Sequence, residues 1–269
     1  MIESEREIIK DKIFNENVNE ENYSIKTFIR VGSKNKVFKK VDFHHSYFDN
    51  CYFRNCVFDS CNFNGAKFNS SILTGSSFDG CKFDYATFDR TFVDREIIQT
   101  GCPGWENVKL KFARTLRTNF DSIGDTEGAN DAILIELEAT KSHYKKAWKS
   151  NESYYRKKYK GWDRAKMFFK WLRFIVLEFI WGNGESLGKL VRSVILLWLI
   201  MTIYEVIWIR DDPFSLKYYL NTFRKMPQIF LSIATPSEYS DFYKSLIYAL
   251  RLIAFGLFIS VLIKRYNRR

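Results

Sequence analysis

From Phe38 to Val93 every fifth residue is a large apolar side chain: Phe38, Phe43, Phe48, Phe53, Phe58, Phe63, Phe68, Leu73, Phe78, Phe83, Phe88 and Val93. Two residues before most of them stands a small side chain, as at Ser46, Cys51, Cys56, Cys61, Ala66, Ser71, Ser76, Cys81, Ala86 and Thr91. One residue after them Asp or Asn recurs, as at Asp49, Asp59, Asn64, Asn69, Asp79, Asp84, Asp89 and Asp94. A period of five fits neither the 3.6 of a helix nor the 2 of a flat strand. Sustained over this length it implies a solenoid, in which each coil buries its apolar residues against the next.

Four of the five cysteines, Cys51, Cys56, Cys61 and Cys81, occupy the small position of this repeat. There they read as core filler rather than zinc ligands, because a metal needs converging donors. Cys102 lies outside the repeat. Free thiols favour a reducing compartment. His44 and His45 read as surface residues. Met1 to Lys10 is charged throughout, and no signal peptide is expected there.

The repeat resembles the pentapeptide-repeat family. That resemblance implies a right-handed quadrilateral β-helix over 34–100, with about three coils. Residues 1–33 read as an N-terminal helix and cap. Gly101, Pro103 and Gly104 break the pattern, and 101–165 reads as a cytoplasmic helical linker. Its first helix carries Leu110, Ala113, Leu116 and Phe120 on one face and ends near Gly124. A second is capped by Asp125 or Thr126.

The net charge of +11 points to anionic partners. It is uneven: the first 21 residues are acidic, whereas Lys141 to Arg192 is strongly basic. Residues 166–188 combine aromatics with Lys170, Arg173 and Glu178, too many charges for a span. They read as an interfacial helix, with a buried soluble helix as the other reading. Two stretches do suit a bilayer, at about 190–209 and 246–263, within a transmembrane domain of 189–269. Lys189 and Arg192 before the first, and Lys264, Arg265, Arg268 and Arg269 after the second, place both termini in the cytoplasm and the protein in the inner membrane.

Between the spans, about 213–244 reads as a pore loop. A turn at Asp211-Asp212-Pro213 leads to a short helix, Tyr218 to Ile233, and then to a polar stretch. Non-helical backbone at membrane depth is tolerated where it lines water. Ile229-Phe230-Leu231-Ser232-Ile233-Ala234-Thr235 and Ala249 to Leu257 resemble the two-transmembrane, potassium-channel-like ion channels. Trp181 to Glu185 and the helices around Asn119 to Ala129 resemble bacterial fusions of pentapeptide repeats to such channels. The resemblance implies a homotetramer conducting a cation, with Ser232, Thr235, Ser237, Glu238, Tyr239 and Ser240 as pore-lining or filter candidates. The family's Gly-Tyr-Gly filter is replaced here by Pro236-Ser237-Glu238-Tyr239-Ser240, which counts against potassium selectivity.

Arg251 needs an intramembrane partner, and Glu205 is the expected one, as a structural pair or within the gate. Fusions of this kind act as membrane effectors of antiphage defence. The resemblance thus implies a nucleotide or short nucleic-acid regulator, with Lys141, Lys145, Lys146 and Lys149 as anion-binding candidates. Attraction to the lipid bilayer is the simpler reading of the same charges. A tethered interaction scaffold without conduction is the alternative function. DNA mimicry is disfavoured by the mixed charge of the repeat. No nucleophile–base pair, phosphate loop or metal spacing suggests an enzyme, and no cofactor is expected.

Overall fold

The computed structural model describes residues 6–209, 216–234 and 236–266. Two compact units are present, Met1–Phe168 and Phe169–Arg269.

The first unit begins with a parallel β-solenoid of about four turns. Strands of two or three residues stack on three faces, and bridges at Asn22, Asp42, Asn62 and Lys82 hold the fourth. Phe48 pairs with Phe68, and Phe38 with Phe58, twenty residues apart. Four five-residue repeats therefore close one coil. Like residues meet like: rings in the Phe28, Phe48, Phe68, Phe88 column stack with centroids 4.8, 4.7 and 4.9 Å apart. Neighbouring columns meet edge-on, as Phe48 does Phe53. Both arrangements are favourable for aromatic pairs.

Most corners place one residue in the left-handed region, as at His45, Asn50, Asn55, Gly65 and Gly75. Gly65 has a second constraint, since a Cβ there would lie 2.2 Å from Nδ1 of His45 on the coil below.

The leading helix expected over 1–33 is not what the described residues form. Residues 8–34 are strands and corners of an earlier coil, which accounts for the extra turn. The period was hidden by one deletion. Ile9 pairs with Phe28 and Phe14 with Ser33, nineteen residues apart, whereas Val18 pairs with Phe38 at twenty. The spacing between the inward Phe14 and Val18 is thus four instead of five. Ser33, buried with its Oγ donating to the Phe14 carbonyl, replaces an apolar residue and obscures the pattern further.

The cap sits at the other end of the solenoid. A short helix α1 (Ile97–Thr100) leads to α2 (Glu106–Ile123) and α3 (Thr126–Lys149). Phe112 on α2 packs against Phe83 and Phe88, while Leu116 and Phe120 are fully buried in the same core. Leu110 is only half-buried. Gly124, at φ 78°, ends α2, and Asp125 caps α3 by accepting from the Gly128 N–H at 3.0 Å. Arg95 grips the Asp125 carboxylate with two bonds, of 2.8 and 3.0 Å, tying the hairpin to the last coil.

Helix α4 (Ser153–Lys158) follows, and α5 (Gly161–Trp181) runs across the division between the units. Its outer part exposes Phe169, Leu172, Val176 and Phe179 at spacings of 3, 4 and 3, beside exposed Lys170 and Arg173. These four apolar residues lie along one side of the helix. The second unit then holds α6 (Leu187–Tyr204), a π turn over Glu205–Ile209, α7 (Leu216–Phe230) and α8 (Asp241–Tyr266). Leu187–Trp208 and Asp241–Lys264 are long and apolar enough to cross a membrane. Their 22 and 24 residues rise roughly 33 and 36 Å, against a hydrocarbon core of about 30 Å.

Candidate membrane site

Helix α7 buries Thr222, Met226, Ile229 and Phe230, and exposes Lys217, Asn221, Arg224, Lys225 and Gln228. It stops at Phe230, short of the expected Ile233. The chain reverses there because Ser232 adopts φ 58°, while the Ile233 and Ala234 N–H groups donate back to the Gln228 carbonyl.

The polar stretch that follows divides into exposed and structural residues. Ser237 and Glu238 are exposed. Tyr239 is a structural residue in this chain. It is buried among Met201, Met226, Ile229, Phe230, Tyr243 and Ile247, and its hydroxyl donates to the Glu205 carboxylate. Ser240 caps α8, its Oγ accepting from the Tyr243 N–H at 3.3 Å. Ser232 is exposed and accepts a hydrogen bond from Arg251. Thr235 and the turn Asp211-Asp212-Pro213 lie outside the described residues.

The Glu205–Arg251 pair expected from the sequence is not formed. Arg251 instead reaches Ser232 and lies over the Tyr248 ring at 4.8 Å, whereas Glu205, 2% exposed, is held by Tyr239. Depth explains the difference. Glu205 lies at the loop end of α6, but Arg251 is ten residues into α8, roughly 15 Å along it. A cavity of about 350 Å³ adjoins the reversal, lined by Ile229, Ser232, Tyr239, Lys244 and Tyr248 among others.

At the opposite ends of the spans, charges are paired. Lys264 meets Glu185, Lys189 lies 3.9 Å from Glu178, and Arg192 donates to the Phe179 carbonyl while stacking on its ring. Three basic groups thus gather where both spans meet the α5–α6 connection.

Lys141, Lys145 and Lys149 recur at four-residue intervals and share a face. Lys146 points elsewhere, 3.6 Å from both Glu106 and Glu152. Two other cations of the basic stretch are structural: Arg156 donates to the Ala147 carbonyl at 2.7 Å and Arg164 to that of Trp148 at 2.6 Å, satisfying the end of α3. No group of three His, Cys, Asp or Glu that could hold a metal occurs among the described residues.

Sequence reasoning missed the polar contacts closing the solenoid. Asn119, 1% exposed, accepts from the Thr91 N–H and donates to the Thr91 carbonyl, both at 2.8 Å. Thr115 bonds the Phe88 N–H and carbonyl in the same way, at 3.1 and 3.4 Å. Two side chains of a helix therefore supply what a further coil would have supplied. A buried Asn on the apolar face of α2 was the available signal.

The model of the pentapeptide repeats matches residues 37–75 and 61–95, with eight copies. The solenoid is a pentapeptide-repeat domain. Solved structures similar to it include a pentapeptide repeat protein from the Arabidopsis thaliana thylakoid lumen, 14% identical, with a TM-score of 0.22, covering 32% of this chain and 76% of that one. Another is QnrB1, a plasmid-mediated fluoroquinolone resistance protein, 8% identical, with a TM-score of 0.12, covering 34% of this chain and 64% of that one. No curated protein matches the chain.

Proposed function

We propose that this chain is a membrane-anchored pentapeptide-repeat protein whose helical unit assembles with further copies into an ion-conducting pore. One observation carries the reading. Between two bilayer-length helices lies a fifteen-residue amphipathic helix whose exposed face bears Lys217, Arg224 and Lys225. A simple anchor needs only a turn there. A charged face beside two spans needs water, which a shared lumen provides.

Two spans cannot enclose a lumen alone, so several copies are required, and the channel resemblance implies four. The exposed apolar residues of α8, including Leu252, Phe255, Ile259 and Ile263, supply surface for lipid and neighbouring copies. Glu238, exposed beyond the reversal, is assigned the preference for cations. Tyr239 anchors the reversal to α6. Lys189, Arg192 and Lys264 orient this end of the spans to the cytoplasm. The repeat domain then lies in the same reducing compartment, in keeping with its free cysteines.

The test is ion flux from liposomes holding the full-length protein. Flux is expected, with the cation-to-anion permeability ratio lowered by Glu238→Gln. Anion flow exceeding cation flow would move selectivity to Arg224 and Lys225. No flux from correctly inserted protein, with or without residues 1–168, would refute the pore and leave a membrane-tethered scaffold.

A further inference from the structure

The outward positions of the four solenoid faces differ in chemistry. On one face the residue preceding the buried column is Asn22, Asp42, Asn62 and Lys82 in successive coils, and on a second Thr27, Tyr47, Lys67 and Thr87. On a third it is Val37, Val57 and Ser77. The remaining face carries Ile13, Gly32, Tyr52, Ile72 and Phe92, joined coil to coil by backbone pairing. Ile13 is 67% exposed, Tyr52 38% and Phe92 50%. Five rungs at about 4.8 Å make a row roughly 19 Å long, apolar at Ile13, Tyr52, Ile72 and Phe92 and without a side chain at Gly32. A row of this length marks a contact surface.

Charges flank it. Two residues after Gly32, Tyr52 and Phe92 stand Lys34, Arg54 and Asp94; the two cations are exposed and without an ion-pair partner among the described residues, while the Asp94 carboxylate accepts from the Gly75 N–H. On the other edge are Arg30, paired with Asp11, and Arg90, 3.5 Å from Asp89.

We propose that this face docks an acidic amphipathic helix of a partner protein. The unpaired Lys34 and Arg54 select an acidic partner and disfavour a second copy, since antiparallel stacking of two such faces sets that edge against itself. The backbone of this face is already paired within the solenoid, so the partner adds no strand and must satisfy its own backbone, as a helix does. A 19 Å stripe accommodates about thirteen helical residues. Single-stranded nucleic acid fits less well, because it needs rings to stack on and two of the rungs, Ile13 and Ile72, are aliphatic.

The probe is a fluorescein-labelled fourteen-residue peptide with Leu on one helical face and Glu on the other, titrated onto the full-length protein in zwitterionic nanodiscs. Saturable binding is expected. Tyr52→Glu and Arg54→Glu should each weaken it at least tenfold without moving the unfolding temperature, and a peptide with Lys in place of Glu should not bind. Absent binding, equal binding of the Lys peptide, or indifference to both substitutions would overturn the proposal. Oligo-dT binding that is lost in the same variants while the peptide fails would reassign the face to nucleic acid. Disulfide cross-linking of Tyr52→Cys to itself would reassign it to a second copy.

Discussion

Asn119 offers the sharpest test of how the solenoid ends. Its amide is buried and makes two 2.8 Å bonds with the backbone of Thr91, one in each direction. Asn119→Leu keeps the shape but leaves one buried N–H and one buried carbonyl without partners. Each orphaned group costs about 1–3 kcal/mol, so the loss is about 4 kcal/mol in total. That is a large fraction of the 5–15 kcal/mol that typically holds a domain together. For a domain of this size it lowers the midpoint by roughly 8–16 °C. Full-length protein in detergent, melted under circular dichroism, measures the shift. Hydrogen exchange over residues 86–95 should show the last coil losing protection before the coils beneath it. Thr115→Val, whose contacts are longer and half-buried, should cost less. An Asn119→Leu protein melting within 2 °C of wild type, with Thr91 still protected, would refute the argument that side-chain hydrogen bonds close this edge.

Two further predictions rest on titration. Burial pushes the Cys51 thiol up from 9.0 to about 11, so at pH 7 its thiolate fraction is on the order of 100-fold below that of an ordinary thiol. Iodoacetamide at pH 7 should therefore leave Cys51 unlabelled until urea unfolds the coil, and labelling of the native protein at the rate of free glutathione would contradict it. Burial acts to raise the Asp125 carboxyl, but hydrogen bonds from Arg95 and the Gly128 N–H outweigh it and hold the group below its ordinary value. A folded pKa below the unfolded one of about 3.9 gives stability that is fully present at neutral pH and fades as pH falls through the folded value. Asp125→Asn should lower the melting temperature at pH 7 more than at pH 3, and an equal loss at both would exclude the linkage.

The solenoid was readable from sequence because its physics is one-dimensional. Each buried Phe meets its own kind one coil away, so the constraint repeats in the chain at fixed intervals. The first coil escaped because one deleted residue between Phe14 and Val18 breaks that interval, although a corner can absorb it without disturbing the pairing of Val18 with Phe38. Its apolar signal is also diluted at Ser33. Asn119 escaped for another reason. A buried polar residue acquires meaning only from the partner it meets, and Thr91 is twenty-eight residues away. No local pattern carries that distance.

The second unit, with its two candidate spans, shows the same limit from the other side. Two ionisable residues near apolar segments were expected to pair because each is costly alone. The fold solves the two costs separately, with Tyr239 for Glu205 and Ser232 with the Tyr248 ring for Arg251. Both solutions draw on the segment between the spans. Ser232 and Tyr239 bracket the polar stretch, one bonded to α8 and the other to α6, so the exposed Ser237 and Glu238 lie between two fixed points. The reversal is thereby tied to both spans by side chains rather than by the close backbone packing that glycines would permit. With Glu205 engaged by Tyr239 and Arg251 by Ser232, the two charged residues are fasteners of the loop rather than a pair.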